Sequence, residues 1–362
     1  MPGLLVLALL LMVTLFGCTE TEVPAAKSQP AETLIQFTDD DGRDVLLDSP
    51  CNRIISLYSA HTENLFSLGA GNLIIGTCST SIYPPETLEI PHYEYNEDPE
   101  TIIAAEPDLV LIRPLITRKV PGFVQAIERA GIPVVSLYPE KFDGFEDYIG
   151  KLALLAGLED AAAEQLSRFY KNIAAITALT KNVPEKQNIF FESTTVNLRT
   201  ITAESMPAHA IAFAGGTNVA AEAKPIRENT SIASFGAEQI LALADKIDVY
   251  VAQCGAMNAD CNLRSILARP GFETIKAVRD GRVYVINEKI ISSPTFRFCK
   301  GVLELARYLY PDLLDDLSCY QNDQAAKKRD LANILVRKLH IPLYLPNSLK
   351  YYQQNNPGHL YG

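Results

Sequence analysis

The chain has 362 residues, of which 48% are hydrophobic and 21% charged. That excludes an intrinsically disordered chain and a polytopic membrane protein, and it leaves room for two ordinary globular lobes. Its 43 acidic residues against 32 basic ones give a formal charge of −11 with no basic run, which argues against nucleic acid or an anionic membrane surface as a partner.

Residues 4–16 form an apolar run too short to cross a bilayer as a stable helix and suited to the core of a signal peptide. It ends in Leu15-Phe16-Gly17-Cys18, and a polar stretch with Thr19, Glu20, Pro24, Lys27 and Pro30 follows. The segment resembles a bacterial-type lipobox. On that resemblance, residues 1–18 are a lipoprotein signal peptide, Cys18 is lipidated, and residues 19–33 are a tether. An ordinary cleaved secretory signal is the alternative, and either reading exports the chain.

Export changes the reading of the cysteines. Besides Cys18 there are Cys51, Cys78, Cys254, Cys261, Cys299 and Cys319, an even set that in an oxidising compartment suggests disulfides. Proximity favours Cys254 with Cys261. Cys51 with Cys78 and Cys299 with Cys319 are the further expected pairs, and buried free thiols are the competing reading.

A small hairpin with its turn at Asp40-Asp41-Gly42 opens the body of the chain. Strands are expected at 53–57, 72–76, 109–112 and 134–137. Helices are expected from Ala60 to Gly69, after Asp98-Pro99-Glu100, and up to Gly131. From about 145 to 179 the sequence reads as helical, with Leu166, Phe169, Ile173 and Ile176 on one apolar face and Glu164 set to pair with Arg168. Strand–helix alternation then resumes, with strands at 188–191, 248–252 and 282–286. The fold class is α/β: two Rossmann-like lobes joined by a single long interlobe helix, with a ligand cleft between them. The expected divisions are an N-terminal lobe at 34–144, a helical connector at 145–182, a second lobe at 183–318 and an extension at 319–362 with a helix at 325–339.

Several segments, in order, resemble the periplasmic binding proteins that serve siderophore, haem and cobalamin ABC importers. In the first lobe they are Arg53-Ile54-Ile55-Ser56-Leu57, Thr62-Glu63, Tyr83-Pro84-Pro85, Pro99-Glu100-Thr101-Ile102 and Gly131-Ile132-Pro133-Val134-Val135. In the second they are Gly215-Gly216-Thr217-Asn218, Glu238-Gln239-Ile240-Leu241, Asp280-Gly281-Arg282-Val283-Tyr284, and Ser293-Pro294 with Arg297. The resemblance implies a carrier whose lobes move little, acting as a monomer. It also implies docking onto a permease dimer with its ATPase through one acidic residue per lobe, here Glu100 and Glu238. A cleft lined by residues that follow strands is implied as well: Tyr58, Ser59, Tyr83, Tyr93, Tyr95, Arg113, Arg199 and Arg297. Arg113, Arg118, Arg199 and Arg297 are expected to make a cationic floor for an anionic ferric chelate, because guanidinium forks suit carboxylate and catecholate oxygens. No resident cofactor is implied; the ferric chelate, a corrinoid or haem is cargo.

The five histidines show no metal-binding pair at helical spacing. His92 beside Tyr93 and Tyr95 keeps haem open. A nucleophile elbow, a phosphate loop and a dinucleotide glycine fingerprint are all missing, so an enzyme is not expected.

Overall fold

The structure, a computed structural model, describes residues 34–228 and 230–314. Cys18, the tether, Cys319 and the extension with its predicted helix lie outside the described residues.

The Asp40-Asp41-Gly42 turn closes an antiparallel hairpin of β1 (Ile35–Thr38) and β2 (Asp44–Leu47). Strands β3 (Ile54–Ser56), β4 (Ile74–Thr77), β5 (Leu109–Ile112) and β6 (Val134–Ser136) form a parallel sheet in the order β4-β3-β5-β6. Helices α1 (Ser59–Leu68), α2 (Glu100–Ile103), α3 (Pro114–Lys119) and α4 (Pro121–Arg129) connect these strands. The single helix expected before Gly131 is therefore two, parted at Val120-Pro121, where proline cannot continue the hydrogen-bond ladder but suits a new first turn.

The stretch from 145 to 180 is also two helices, α5 (Phe145–Ala156) and α6 (Glu159–Thr180). Gly157 takes a left-handed φ of 66°, and Leu158 donates its N–H to Ala153 O at 2.9 Å, a Schellman-type end. The long helix α6 then starts afresh with Glu159 and Asp160 in its first turn. Leu166, Phe169, Ile173 and Ile176 are all buried as the periodicity predicts. The Glu164–Arg168 pair does not form among the described residues.

The second half adds β7 (Asn188–Glu192), β8 (Thr200–Ile201), α7 (Met206–Phe213), β9 (Thr217–Asn218), β10 (Ile232–Ala233) and α8 (Ala237–Ala242). It continues with β11 (Val249–Cys254), α9 (Leu263–Leu267), α10 (Lys276–Arg279), β12 (Val283–Asn287), α11 (Glu288–Ile291), α12 (Phe298–Leu309) and α13 (Pro311–Leu314). Its main sheet is parallel, in the order β12-β11-β7-β9, while β8 and β10 pair separately. The short strands β8, β9 and β10 are too brief to leave a periodic signal in the sequence.

Both sheets are covered on both faces, and successive side chains divide between the two coverings. Leu109 and Leu111 join the central core while Val110 and Ile112 join the outer one; Ile189 and Phe191 divide from Phe190 in the same way. The central core is continuous from the first lobe, through Phe145, Phe169, Ile173 and Ile176 of α5 and α6, into Val251, Phe298 and Val302 of the second.

Cys254 and Cys261 form the expected disulfide. The expected Cys51–Cys78 bond does not form, and both are buried free thiols. Cys51 precedes β3 and Cys78 follows its parallel neighbour β4, so they sit at opposite ends of adjacent strands, beyond disulfide reach. Burial, with the Asp108 carboxylate nearby, pushes the Cys51 thiol up to about 12. Cys299 has no disulfide partner among the described residues.

Candidate ligand-binding cleft

Parallel α/β sheets present their functional loops beyond the carboxyl ends of the strands. Here those ends face each other across the two lobes. Ser59 follows β3, Lys289 follows β12, and the Lys289 Nζ donates to Ser59 Oγ at 2.7 Å. Tyr138 and Lys141, after β6, line one side of a cleft of about 480 Å³ whose other side is the 202–231 segment of the second lobe. Lys141 and Glu204 pair across its mouth, both exposed.

At the base of the first lobe, the Arg113 guanidinium lies 4.7 Å over the Tyr58 ring. Pro114 opens α3 immediately after it, so Arg113 stays extended at the strand's end instead of entering the helix. Tyr58 in turn meets Tyr138 at 6.1 Å and, edge to face, His61 at 5.0 Å. Burial raises the pKa of both phenols, with Arg113 partly offsetting it, so each keeps its O–H as a hydrogen-bond donor at neutral pH. Arg113 makes no ion pair or hydrogen bond among the described residues, and its charge remains available to a ligand.

The other arginines divide. Arg199 lies half-buried on the loop after β7, and its side chain has no ion-pair partner among the described residues. Arg118 is exposed on α3. Arg297 is taken: its Nε donates to Glu63 Oε1 at 2.6 Å, its second arm meets the other carboxylate oxygen, and its face lies 3.9 Å from the Tyr83 ring centroid. The expectation of Arg297 as a free cation on the cleft floor is thus corrected, because the buried Glu63 neutralises it.

Beside that pair, Asn64 Nδ2 donates to Pro294 O at 2.8 Å, and Phe296 N–H donates to Asn64 Oδ1 at 3.3 Å. The Thr62-Glu63 and Ser293-Pro294 segments, far apart in sequence, are therefore two halves of one interlobe fastening.

Tyr93 and Tyr95 do not join this group. Both pack on the outer core of the first lobe, and the Tyr93 ring covers Gly76 of β4 so closely that a Cβ there would fall 2.6 Å from it. His92 is exposed, bridging β4. His61 is fully buried, held by Leu137 O at 2.9 Å, and burial lowers its pKa to about 3. Among the described residues, no three His, Cys, Asp or Glu side chains are placed to hold a metal ion. Glu100 and Glu238 are exposed first-turn residues of α2 and α8, one on each lobe, with no ion-pair partner among the described residues.

Lys289 went unnoticed in the sequence, as did Tyr138 and the 202–231 segment. Burial lowers the Lys289 pKa, with Glu288 opposing, in the same surroundings that hold Arg113 and Glu63. Its signal was its place two residues past the strand ending in Asn287, close to the strand-end position that Arg113 holds directly after β5.

The family described as periplasmic binding protein matches residues 54–290. The chain belongs to that family. Its members bind and carry solutes and are not enzymes. Among curated relatives, the chain is 24% identical to the uncharacterized ABC transporter substrate-binding lipoprotein YvrC of Bacillus subtilis, covering 86% of this chain and 97% of that one. It is 23% identical to the vitamin B12-binding protein of Vibrio campbellii, covering 72% and 90%. Among solved structures, an ABC-type Fe3+-hydroxamate transport protein of Saccharomonospora viridis superposes with a TM-score of 0.61 at 23% identity, covering 76% and 98%. That likeness extends the family's two-lobed fold to this chain.

Proposed function

We propose that this protein is the extracytoplasmic substrate-binding component of an ABC importer, a monomer that captures an anionic ferric chelate of the siderophore type. The observation that carries the ligand class is Arg113, an unpaired guanidinium stacked on Tyr58 with the Tyr138 phenol beside that ring, both phenols keeping their protons. Arg199, on a loop of the second lobe, is the second cation of this reading. Planar guanidinium forks with phenol donors suit the carboxylate, hydroxamate or catecholate oxygens around a ferric centre. Tyr83, held against Arg297, and Ser59, held by Lys289, are the further contact residues of this reading. Glu100 and Glu238 dock the loaded protein on the permease dimer with its ATPase. Two rim carboxylates on separate lobes set orientation and on-rate more than affinity. Cys18 carries the lipid that tethers the protein outside the membrane.

A corrinoid is the second reading. It is favoured by the vitamin B12-binding relatives and by the neutralisation of Arg297, which leaves less positive charge than four free arginines would. Haem is third: the buried His61 is engaged, and Tyr93 and Tyr95 are committed to packing.

Native mass spectrometry of the purified protein with a ferric tris-catecholate, a ferric trihydroxamate, cobalamin and haem separates these readings. One ferric chelate retained at one-to-one stoichiometry, lost about ten- to hundredfold in Arg113→Ala, is the expected result. Retention of cobalamin alone selects the corrinoid, and retention of none removes all three ligand classes. For docking, Glu100→Arg with Glu238→Arg abolishes uptake while binding survives; normal uptake in that variant refutes the docking role.

A further inference from the structure

Three loops of the second lobe meet at one hub. The Cys254–Cys261 disulfide closes a loop at the carboxyl end of β11. Within it the buried Asn258 is bonded at both ends of its amide: Nδ2 donates to Gln253 O at 2.9 Å, and Oδ1 accepts the Thr195 N–H at 3.0 Å. Thr195 belongs to the loop after β7, which closes when Arg199 N–H donates to Thr194 O at 3.1 Å and Ser193 N–H donates to Arg199 O at 2.9 Å. The third loop enters through Glu288, whose carboxylate accepts the Ala256 and Met257 N–H groups at 2.8 and 3.1 Å. That carboxylate fills the space beside Gly255, where a Cβ would fall 2.2 Å from it, so only glycine fits. Gln253 adds a further tie, donating to Ser193 O at 3.0 Å.

The Arg199 loop needs such support. Asn197 and Leu198 hold consecutive left-handed φ angles of 59° and 48°, and for leucine that conformation costs about 1–2 kcal/mol. Val196 is exposed, and the Arg199 side chain has no polar partner among the described residues. The loop's internal ties run from Thr195 Oγ1 to Glu192 Oε1 at 3.0 Å, with Glu192 itself held by Arg269, and from Thr194 Oγ1 to Val196 O at 3.0 Å. From outside the loop, Asn258 holds the Thr195 N–H, and its own place depends on a loop tied at both ends by the disulfide.

We propose that the Cys254–Cys261 loop, acting through Asn258, sets the conformation of the Thr194–Arg199 loop and so aims Arg199 into the cleft. Asn258 is then a positioning residue for ligand capture, and the disulfide is what lets it act. This inference rests on the reading that an anionic chelate occupies the cleft.

The test uses the full chain as Asn258→Ala, Asn258→Asp and Cys254→Ser/Cys261→Ser, with two readouts. The first is amide hydrogen exchange of the ligand-free protein. Exchange at Thr195 accelerates about tenfold in Asn258→Ala and in the serine pair, while α6 keeps its protection. Asn258→Asp, which retains the acceptor for the Thr195 N–H, restores protection there. The second is the dissociation constant for a ferric tris-catecholate. It rises about tenfold in Asn258→Ala, and adding Arg199→Ala to that variant weakens binding no further than Arg199→Ala alone. Unchanged exchange in both Asn258→Ala and the serine pair overturns the proposal. So does faster exchange with undiminished affinity, or full additivity with Arg199→Ala. If the unmodified protein binds no ferric probe, the proposed ligand class fails, and the exchange comparison still decides whether Asn258 orders the loop.

Discussion

Glu63 and Arg297 illustrate how little a buried ion pair says by itself and how much its position says. The Glu63 side chain is 5% exposed and that of Arg297 18%, so removing one partner strands a poorly solvated charge. Arg297→Ala is expected to lower unfolding stability by about 3 kcal/mol in chemical denaturation, whereas Glu63→Leu with Arg297→Met recovers most of the loss. Equal losses in the single and double variants would show that the pair's packing, not its charge, is what matters. His61 supplies a pH signature. Its folded pKa, about 3, lies below the ordinary histidine value, so between those limits the unfolded chain binds the extra proton. Stability is therefore whole above about pH 6.5 and falls on acidification by up to about 1.4 kcal/mol per pH unit, levelling near pH 3. His61→Gln, which keeps a donor toward Leu137 O, should flatten that slope by one proton's worth; an unchanged slope would place the titration elsewhere.

At the scale of elements, the break between α5 and α6 matters most, because it frees α6 to run between the lobes in its own direction. The signal stands in the sequence as Gly157-Leu158-Glu159-Asp160, a left-handed stop followed by an acidic first turn. The apolar periodicity that runs through both helices masks it. With φ at 66° and Pro50 Cγ 3.1 Å from where a Cβ would stand, Gly157→Ala is expected to cost about 1–2 kcal/mol in denaturant unfolding without altering ligand affinity. A neutral result would mean that the break is held by packing alone. Cys51 and Cys78 flank neighbouring strands, but the parallel direction puts one before β3 and the other after β4, at opposite strand ends.

Across the whole molecule, both lobes share one core through α5, α6 and α12, and the Glu63–Arg297 and Asn64–Pro294 contacts fasten the lobes beside the cleft. Two independently folding lobes would unfold separately; a shared core predicts one cooperative transition in calorimetry, with calorimetric and van't Hoff enthalpies in agreement. Two resolved transitions would contradict it. On the proposed docking role, such fastenings would keep Glu100 and Glu238, one on each lobe, at a near-constant separation for a partner to read.

Apolar strand runs, helix stops at Gly69 and Gly131, and the hairpin turn at Gly42 are local effects of side-chain and backbone chemistry, so the sequence by itself determined the α/β class, the order of strands and the apolar face of α6. It also placed Tyr58 and Arg113 just past strand ends, as the structure has them. Which partner each side chain would find is not local. The pairing of Arg297 with Glu63, the burial of Tyr93 on Gly76, the reach of Lys289 to Ser59 and the tie from Asn258 to Thr195 each join segments distant in sequence. Those contacts depend on how two sheets and one long helix pack in space. Tertiary structure alone therefore decided which arginines stay free for a ligand.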